Sequence, residues 1–232
     1  MFRFKQFDIV DEHTAMKVGT DGVLLGAWAD VEGDSRILDL GTGSGIIALM
    51  AAQRNAEAEV VGLDIDEGAL LDARHNGHRS PWSERLEFVL GDVAQYITEG
   101  RFDHIISNPP YFVDSLHSPD KQRTAARHTS SLKFSTIVDA AERLLNRGGK
   151  LSVVLPTDVA MQFRREAFER MKLTRLVDVI TNYREAPKRT MMEFRLTEEY
   201  PMPRCTTMAI YDADGSYSSD YRSMTKDFYL KF

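Results

Sequence analysis

The stretch "SRILDLGTGSG", Ser35 to Gly45, joins two patterns, and their junction decides the fold. "SRILDL" is a short, largely apolar run that reads as a buried strand, and "GTGSG" is a glycine turn that opens the helical pattern "GIIALMAAQRN" (45 to 55). Glycines at such a turn let the backbone bend sharply and approach a ligand. They also place that ligand at a helix N-terminus, where free amides face outward.

Outward from this junction the alternation repeats. "AEVVGLD" (58 to 64), "RLEFVL" (85 to 90), "FDHIIS" (102 to 107) and "KLSVVLP" (150 to 156) read as further strands. "DEGALLDARHNGH" (66 to 78), with acidic residues suited to a helix start, and "FSTIVDAAERLLNRGG" (134 to 149), with glycines suited to a C-cap, read as crossover helices. Continuous apolar strands separated by helices predict an α/β fold, Rossmann-like, with a mostly parallel central sheet covered on both faces. After a fifth helix, "TDVAMQFRREAFERM" (157 to 171), the runs "TRLVDVITN" and "TMMEFRLTE" read as two strands joined by "YREAPKR". That connection is short enough for a hairpin-like return, which predicts an antiparallel late strand at the sheet's edge.

With no repeat or linker, 232 residues make a single domain. Residues 1–34 form an N-terminal segment in which Thr20 or Asp21 is suited to cap a helix, 35–200 the Rossmann-like core, and 201–232 a C-terminal strand and amphipathic helix. Nothing reaches the ~18 apolar residues of a membrane span, and the N-terminus lacks the h-region of a secretion signal, so a cytoplasmic protein is expected. The lone Cys205 reads as an inert small hydrophobe. His75 and His78, three apart, have no evident third ligand, so no metal is expected.

Charge is segregated. Residues 1–114 carry 9 Lys and Arg against 20 Asp and Glu, whereas residues 115–195 carry 16 against 9, which suggests an anionic partner for the middle region.

The second strand ends in "GLDID", and Asp64 follows Gly41 at about the distance of an acidic residue that accepts hydrogen bonds from ribose hydroxyls. The third ends in "LGDVAQY", where Asp92 is suited to an adenine amino group and the following amide to a ring nitrogen. Candidate cofactor residues are therefore Asp39, Gly41, Thr42, Gly43 and Gly45 in the first loop, Asp64 and Ile65 in the second, and Asp92 and Val93 in the third. "GTGSG" lacks the spacing of the usual dinucleotide fingerprint; S-adenosylmethionine fits the nucleoside site, and NAD remains open.

The fourth strand ends in "NPPY", Asn108 to Tyr111. Pro109 and Pro110 fix φ and donate no N–H, so the turn is stiff and its carbonyls have set directions. The Asn108 side-chain oxygen and the Pro109 carbonyl are placed to accept the two N–H groups of a planar exocyclic amine, in bonds that strengthen as that nitrogen attacks. Tyr111 offers a face on which a base stacks. Asn108, Pro109, Pro110 and Tyr111 are accordingly the catalytic candidates, with Asn108 also bordering the cofactor.

At these residues the chain resembles class I S-adenosylmethionine-dependent methyltransferases of the amino-group type, whose tetrapeptide is [D/N/S]-P-P-[Y/F/W]. "FKQF" (4 to 7), "AMKVGTDGVLLGAWA" (15 to 29), "SPWSERL" (80 to 86), "ISNPPYF" (106 to 112), "QRTAARH" (122 to 128) and the ending "YSSDYRSMTKDFYLKF" extend the likeness, from end to end, to the bacterial tRNA(Val) adenosine-37 N6-methyltransferases. The resemblance implies S-adenosylmethionine as cofactor, tRNA as partner and an adenine N6 amine as acceptor; a monomeric or weakly associating enzyme is expected. It also implies that Lys17, Gly19 and Thr20, with Asp21, lie near the methionine end of the cofactor. "SPDKQRTAARHTSSLKF" follows the tetrapeptide directly; Phe112 beside Tyr111, and Lys121, Arg123, Arg127 and His128, are expected to hold the substrate. A second basic set, Arg164, Arg165, Arg170, Lys172 and Arg175, reads as an exposed helical face, and "APKRT" (186 to 190) as a basic turn. The alternatives are a protein glutamine, whose planar amide suits the same oxygens, and an exocyclic amine of another nucleic acid, since close tetrapeptides occur in DNA adenine and ribosomal guanine N2-methyltransferases. A nicotinamide-dependent oxidoreductase would leave "NPPY" unexplained, and the intact tetrapeptide speaks against a non-catalytic RNA-binding relative.

Overall fold

The computed structural model describes residues 1–110 and 132–231. Eight strands form one sheet in the order β10-β8-β9-β7-β6-β3-β4-β5. The strands are β3 (Arg36–Leu40), β4 (Glu59–Asp64), β5 (Leu86–Leu90), β6 (Phe102–Ser107), β7 (Leu145–Pro156), β8 (Lys172–Ile180), β9 (Arg189–Arg195) and β10 (Arg204–Ala209). β5, β4, β3, β6 and β7 are mutually parallel; β3, β4 and β6 are buried almost throughout, as strands covered on both faces are, and β5 at the sheet's edge is not. From β3 the chain steps outward to β4 and β5, then returns to lay β6 against the other side of β3. The β3/β6 boundary is thus the point where strand order reverses, and in such sheets ligands bind in the crevice at the carboxyl ends there.

Helices α1 (Thr20–Trp28), α2 (Ile46–Arg54), α3 (Glu67–His78), α4 (Phe134–Leu144), α5 (Thr157–Ala167) and α6 (Ser219–Thr225) cover the sheet. Two apolar clusters hold the layers together. One packs α1 and α2 with the N-terminal Phe4, Phe7 and Ile9 and the C-terminal Tyr221 and Phe228, and the other packs α4 and α5. A small ladder of β1 (Phe2–Arg3) and β2 (Asp8–Ile9) completes the N-terminal segment.

Several expectations change. The antiparallel strand does not lie at the edge: β9 is inserted between β7 and β8 and pairs antiparallel with both. Five of its seven residues, Thr190 to Phe194, are buried, and such a strand is stable only with neighbours on both sides. The edge position goes to β10, parallel to β8, so the C-terminal piece extends the sheet. α4 stops at Leu144, and the glycines expected to cap it lie inside β7, where Gly148 (φ 78°) donates its N–H to Leu196. α1 is capped by the backbone of Gly19, with no side-chain cap from Thr20 or Asp21. The fifth helix ends at Ala167, four residues short of the expected limit, and the C-terminal helix spans only seven residues. Cys205 is exposed on β10 rather than packed as a small hydrophobe.

Candidate active site

Four strand ends meet at the carboxyl edge. After β3 the chain turns through Gly41 (φ 73°), Gly43 (φ 54°) and Gly45 (φ 82°), the last being the N-cap of α2. A Cβ at Gly41 would meet nothing within 4 Å, so the positive φ is what demands glycine there, and the space above it is open. The loop is tied to the next strand, since Gly41 and Thr42 donate their N–H groups to Leu63 at 2.8 and 3.1 Å.

Asp39 is buried beneath this loop. Its Oδ2 accepts from the Thr42 hydroxyl at 2.6 Å and the Ala48 N–H at 3.0 Å, while Oδ1 is buried without a partner. Burial pushes the carboxyl up to about 7 against the pull of those two bonds. Asp39 therefore holds the loop and the first turn of α2 in shape from below.

Asp64 ends β4 half-buried. Its Oδ2 accepts from Gly43 N–H at 2.8 Å and its Oδ1 from Asp66 N–H at 3.0 Å. Each oxygen keeps a further lone pair, which suits a pair of vicinal ribose hydroxyls. Burial raises the Asp64 carboxyl, and the backbone donors offset part of that rise. Ile65 next to it is 57% exposed, an apolar shelf at the edge of a polar cleft. On the neighbouring strand Gly91 donates its N–H to Asp64 O at 2.9 Å, which brings Asp92 alongside; its Oδ1 accepts from Ala94, and Val93 is buried beneath. Open space over Gly41, a carboxylate with spare lone pairs, an apolar shelf and a second acidic side chain fit the adenosine part of S-adenosylmethionine.

The fourth strand end closes the group. The Ser107 hydroxyl donates to the Leu40 carbonyl at 2.8 Å, so Asn108 and Gly41 are the next residues on two adjacent strands. Asn108 is half-buried, Pro109 buried and Pro110 exposed. The Asn108 amide N–H contacts Met16 Sδ at 3.6 Å, which leaves Oδ1 available as an acceptor. Gly22 of α1 lies against it: a Cβ there would come within 3.9 Å of Asn108 Nδ2 and 3.5 Å of Ile46.

Neither Met16 nor Gly22 stands out in the sequence, and a further pair is marked there only weakly. Asp72 and Asn76, on the inner side of α3, fasten residues 10–14 over the glycine loop. Asp72 Oδ2 accepts from the backbone N–H groups of His13 and Thr14 and from the Thr14 hydroxyl, each at 2.8 Å, and Oδ1 pairs with His13 Nδ1 at 2.8 Å. Asn76 accepts from Val10 N–H at 2.8 Å and donates to Val10 O and Ser44 O at 2.7 and 2.9 Å. Thr14 is thereby held where a Cβ on Gly43 would be 3.4 Å from its methyl. Burial works against ionisation of Asp72, but its hydrogen bonds outweigh it and keep the carboxyl below its ordinary value. The only signal in the sequence is the spacing of Asp72 and Asn76, four apart on one helix face.

Lys17 turns its ammonium to the carbonyls of Asp11 and Glu12, while Gly19 caps α1 and Thr20 opens it. Tyr111, Phe112, Lys121, Arg123, Arg127 and His128 lie outside the described residues. The second basic set is not a bare helical face: Arg170 pairs with Asp139 and Glu142, and Arg175 binds Glu193 at 2.9 Å while its guanidinium lies 4.2 Å from the Trp28 ring. Among the described residues, no three His, Cys, Asp or Glu side chains are grouped to hold a metal, and no helix is long and apolar enough to cross a membrane.

Residues 14–178 match the methyltransferase small domain family. The chain belongs to this family. Among proteins similar to this methyltransferase, one from Bacteroides thetaiotaomicron named tRNA1(Val) (adenine(37)-N6)-methyltransferase is 45% identical over 231 residues, covering 99% of this chain and 97% of its own. A protein of the same name from Pasteurella multocida is 40% identical, covering 100% and 97%. In fold, the methyltransferase is similar to a predicted O-methyltransferase from Agrobacterium tumefaciens (TM-score 0.71, 19% identity, 90% and 96% of the two chains). It is also similar to an N-methyltransferase from Bradyrhizobium japonicum solved with S-adenosyl-L-homocysteine (TM-score 0.53, 17% identity, 75% and 83%).

Proposed function

We propose that this protein transfers a methyl group from S-adenosylmethionine to the exocyclic N6 amine of adenosine 37 in tRNA1(Val). The observation that carries the reading is the placement of Asn108-Pro109-Pro110 one strand from the glycine loop, in a chain 45% identical over nearly its whole length to a relative of that name. Bound S-adenosylmethionine supplies an electrophilic sulfonium methyl. Asp64 binds the ribose hydroxyls, Ile65 and Val93 border the adenine, and Asp92 accepts from its amino group. Lys17, Gly19 and Thr20 border the methionine end, under the segment that Asp72 and Asn76 fasten.

Asn108 Oδ1 and the Pro109 carbonyl accept the two N–H groups of the target amine and orient its lone pair toward the methyl. As positive charge grows on that nitrogen both bonds strengthen, so they act in the transition state rather than the ground state. No strong base is required, because the methylated amine sheds a proton readily once formed, and most of the acceleration comes from alignment. Tyr111 and Phe112 offer faces to the extruded base, and Lys121, Arg123, Arg127 and His128 contact flanking phosphates. The enzyme acts in the cytoplasm as a single chain.

Methyl transfer from labelled S-adenosylmethionine to total tRNA, release factor and duplex DNA in parallel, followed by nucleoside analysis, tests this. N6-methyladenosine at position 37 of tRNA1(Val) is expected. Label on release factor glutamine would keep the chemistry and replace the acceptor.

A further inference from the structure

A cavity of about 270 Å³ opens at the same edge of the sheet, walled by Tyr211, Tyr217, Tyr221 and Tyr229 with Thr20 and Lys231. The four rings form a ladder. Tyr211 and Tyr217 stack at 5.0 Å and 23°, Tyr217 and Tyr221 at 5.1 Å and 18°, and Tyr221 and Tyr229 at 6.3 Å and 30°. The backbone sets each ring in place. Ile210 and Tyr211 donate to Ile180 O and Thr181 O at 3.0 and 2.9 Å, which continues β10 beside β8 and delivers Tyr211 to the carboxyl edge. A bridge between Tyr211 and Tyr217 closes the turn, and Ser218 caps α6, which carries Tyr221.

Two neighbours say what the cavity faces. Thr20, on its wall, opens α1, and two residues later on the same helix Gly22 lies against the Asn108 amide, so the first turn of α1 links the cavity to the reacting centre. On the other side the 181–188 turn begins at Thr181, to which Tyr211 is bonded, and carries the exposed Arg184 and Lys188, the latter paired with Glu185 of the same turn at 2.5 Å. Flat aromatic faces with hydroxyl rims beside cationic side chains are the chemistry that takes an unstacked nucleobase and its phosphate. The volume falls below the ~300–1,000 Å³ of drug-sized sites, which suits one base.

Resting on the RNA reading above, we propose that this tyrosine cavity receives an unpaired base adjacent to the target adenine. Extruding a base removes a stacking partner from its neighbour, and the ladder replaces it. The cavity thus helps choose a target by what stands next to it in a single-stranded loop.

The test uses an anticodon stem-loop with 2-aminopurine at each loop position in turn. One position should be quenched by the unaltered enzyme and stay bright with Tyr211→Leu. Tyr211→Leu should weaken stem-loop binding about 5- to 150-fold, the range of one stacked base. Tyr211→Phe should bind within about twofold of the unaltered enzyme, and S-adenosylmethionine affinity should hold in both. An abasic nucleotide at the quenched position should cost as much as Tyr211→Leu, and the two losses should not add. Unchanged binding by Tyr211→Leu, fully additive losses, or quenching at no position overturns the proposal while methyl transfer to RNA stands. No methyl transfer to any RNA by the unaltered enzyme would overturn both this proposal and the function it rests on.

Discussion

Two buried polar clusters occupy opposite ends of this sheet and do different work. At the amino edge, Asp34, His104, Lys150 and Ser152 are all less than a tenth exposed. Lys150 Nζ meets Asp34 Oδ1 at 3.0 Å, His104 Nδ1 meets Asp34 Oδ2 at 3.0 Å, and His104 Nε2 meets Ser152 Oγ at 2.9 Å. These side chains come from β6, β7 and the loop just before β3, so the cluster ties three elements of the scaffold to one another. At the carboxyl edge Asp72 and Asn76 instead take their partners from residues 10–14, which follow a β1/β2 ladder only two residue pairs long. The first cluster joins elements that already pair. The second fastens a segment outside the sheet to α3, directly over the glycine loop.

The contrast breaks most visibly at the amino edge. Lys150→Ala leaves Asp34 buried without its cation, which should cost about 3–5 kcal/mol of stability. Denaturant unfolding should show that loss, while methyl transfer per folded molecule stays unchanged. A matching loss of S-adenosylmethionine affinity would show that the two clusters are not separate.

Asn108→Ala should do the reverse, lowering turnover by about 10²- to 10³-fold, the scale of losing one preorganised transition-state hydrogen bond. Melting temperature and S-adenosylmethionine affinity should barely change. Equal loss of affinity and turnover would move Asn108 from chemistry to cofactor binding.

Asp72→Ala should fall between them, since it removes charge-assisted bonds worth about 1.5–3 kcal/mol each without leaving a buried ion. S-adenosylmethionine affinity should fall several-fold and proteolysis should open first near residues 10–18. Intact affinity with the N-terminal segment released would mean that the segment does not cover the cofactor.

Acid titration sharpens the contrast with the smallest effect. Burial holds His104 below its ordinary value against the opposing pull of Asp34, so the neutral ring is favoured in the folded protein. Its contribution is complete above about pH 6.5 and is lost as pH falls through the lowered folded value. Asp72 is held below its ordinary carboxylate value, so its contribution is complete above about pH 4 and is lost only below that. Amide protection at Val10, His13 and Thr14 should therefore survive at pH 5, where strand protection near His104 has begun to fall. Simultaneous loss at both places would contradict these assignments.

Much of this molecule is legible in its amino-acid order. The parallel strands, the glycine turn, Asp64, Asp92 and the Asn108 strand end are all local signals, each a run or a turn with its own chemistry. The late strands are misplaced by such signals because pairing partners are not local: "TMMEFRLTE" announces a strand, but only competition between β7 and β8 for both its edges makes it central. The second basic set misleads for a related reason. Arg170 and Arg175 look like solvated helix residues until acidic partners arrive from α4 and β9.

By itself the sequence determined the glycine turn at the carboxyl end of the sheet, the Asn108-Pro109-Pro110 strand end proposed to hold a planar amine, and the likeness to adenine methyltransferases. The first two depend on residues within a few positions of one another, where φ preference, burial periodicity and side-chain chemistry suffice. Only the tertiary structure decided that Asp72 and Asn76 hold the N-terminal segment over the glycine loop, that Gly22 backs the Asn108 amide and that four tyrosines form a ladder reaching Thr20 of α1. The first two of those contacts join residues more than fifty positions apart, and the ladder reaches the N-terminal helix across nearly two hundred. Packing rather than local preference brings them within hydrogen-bonding or stacking distance.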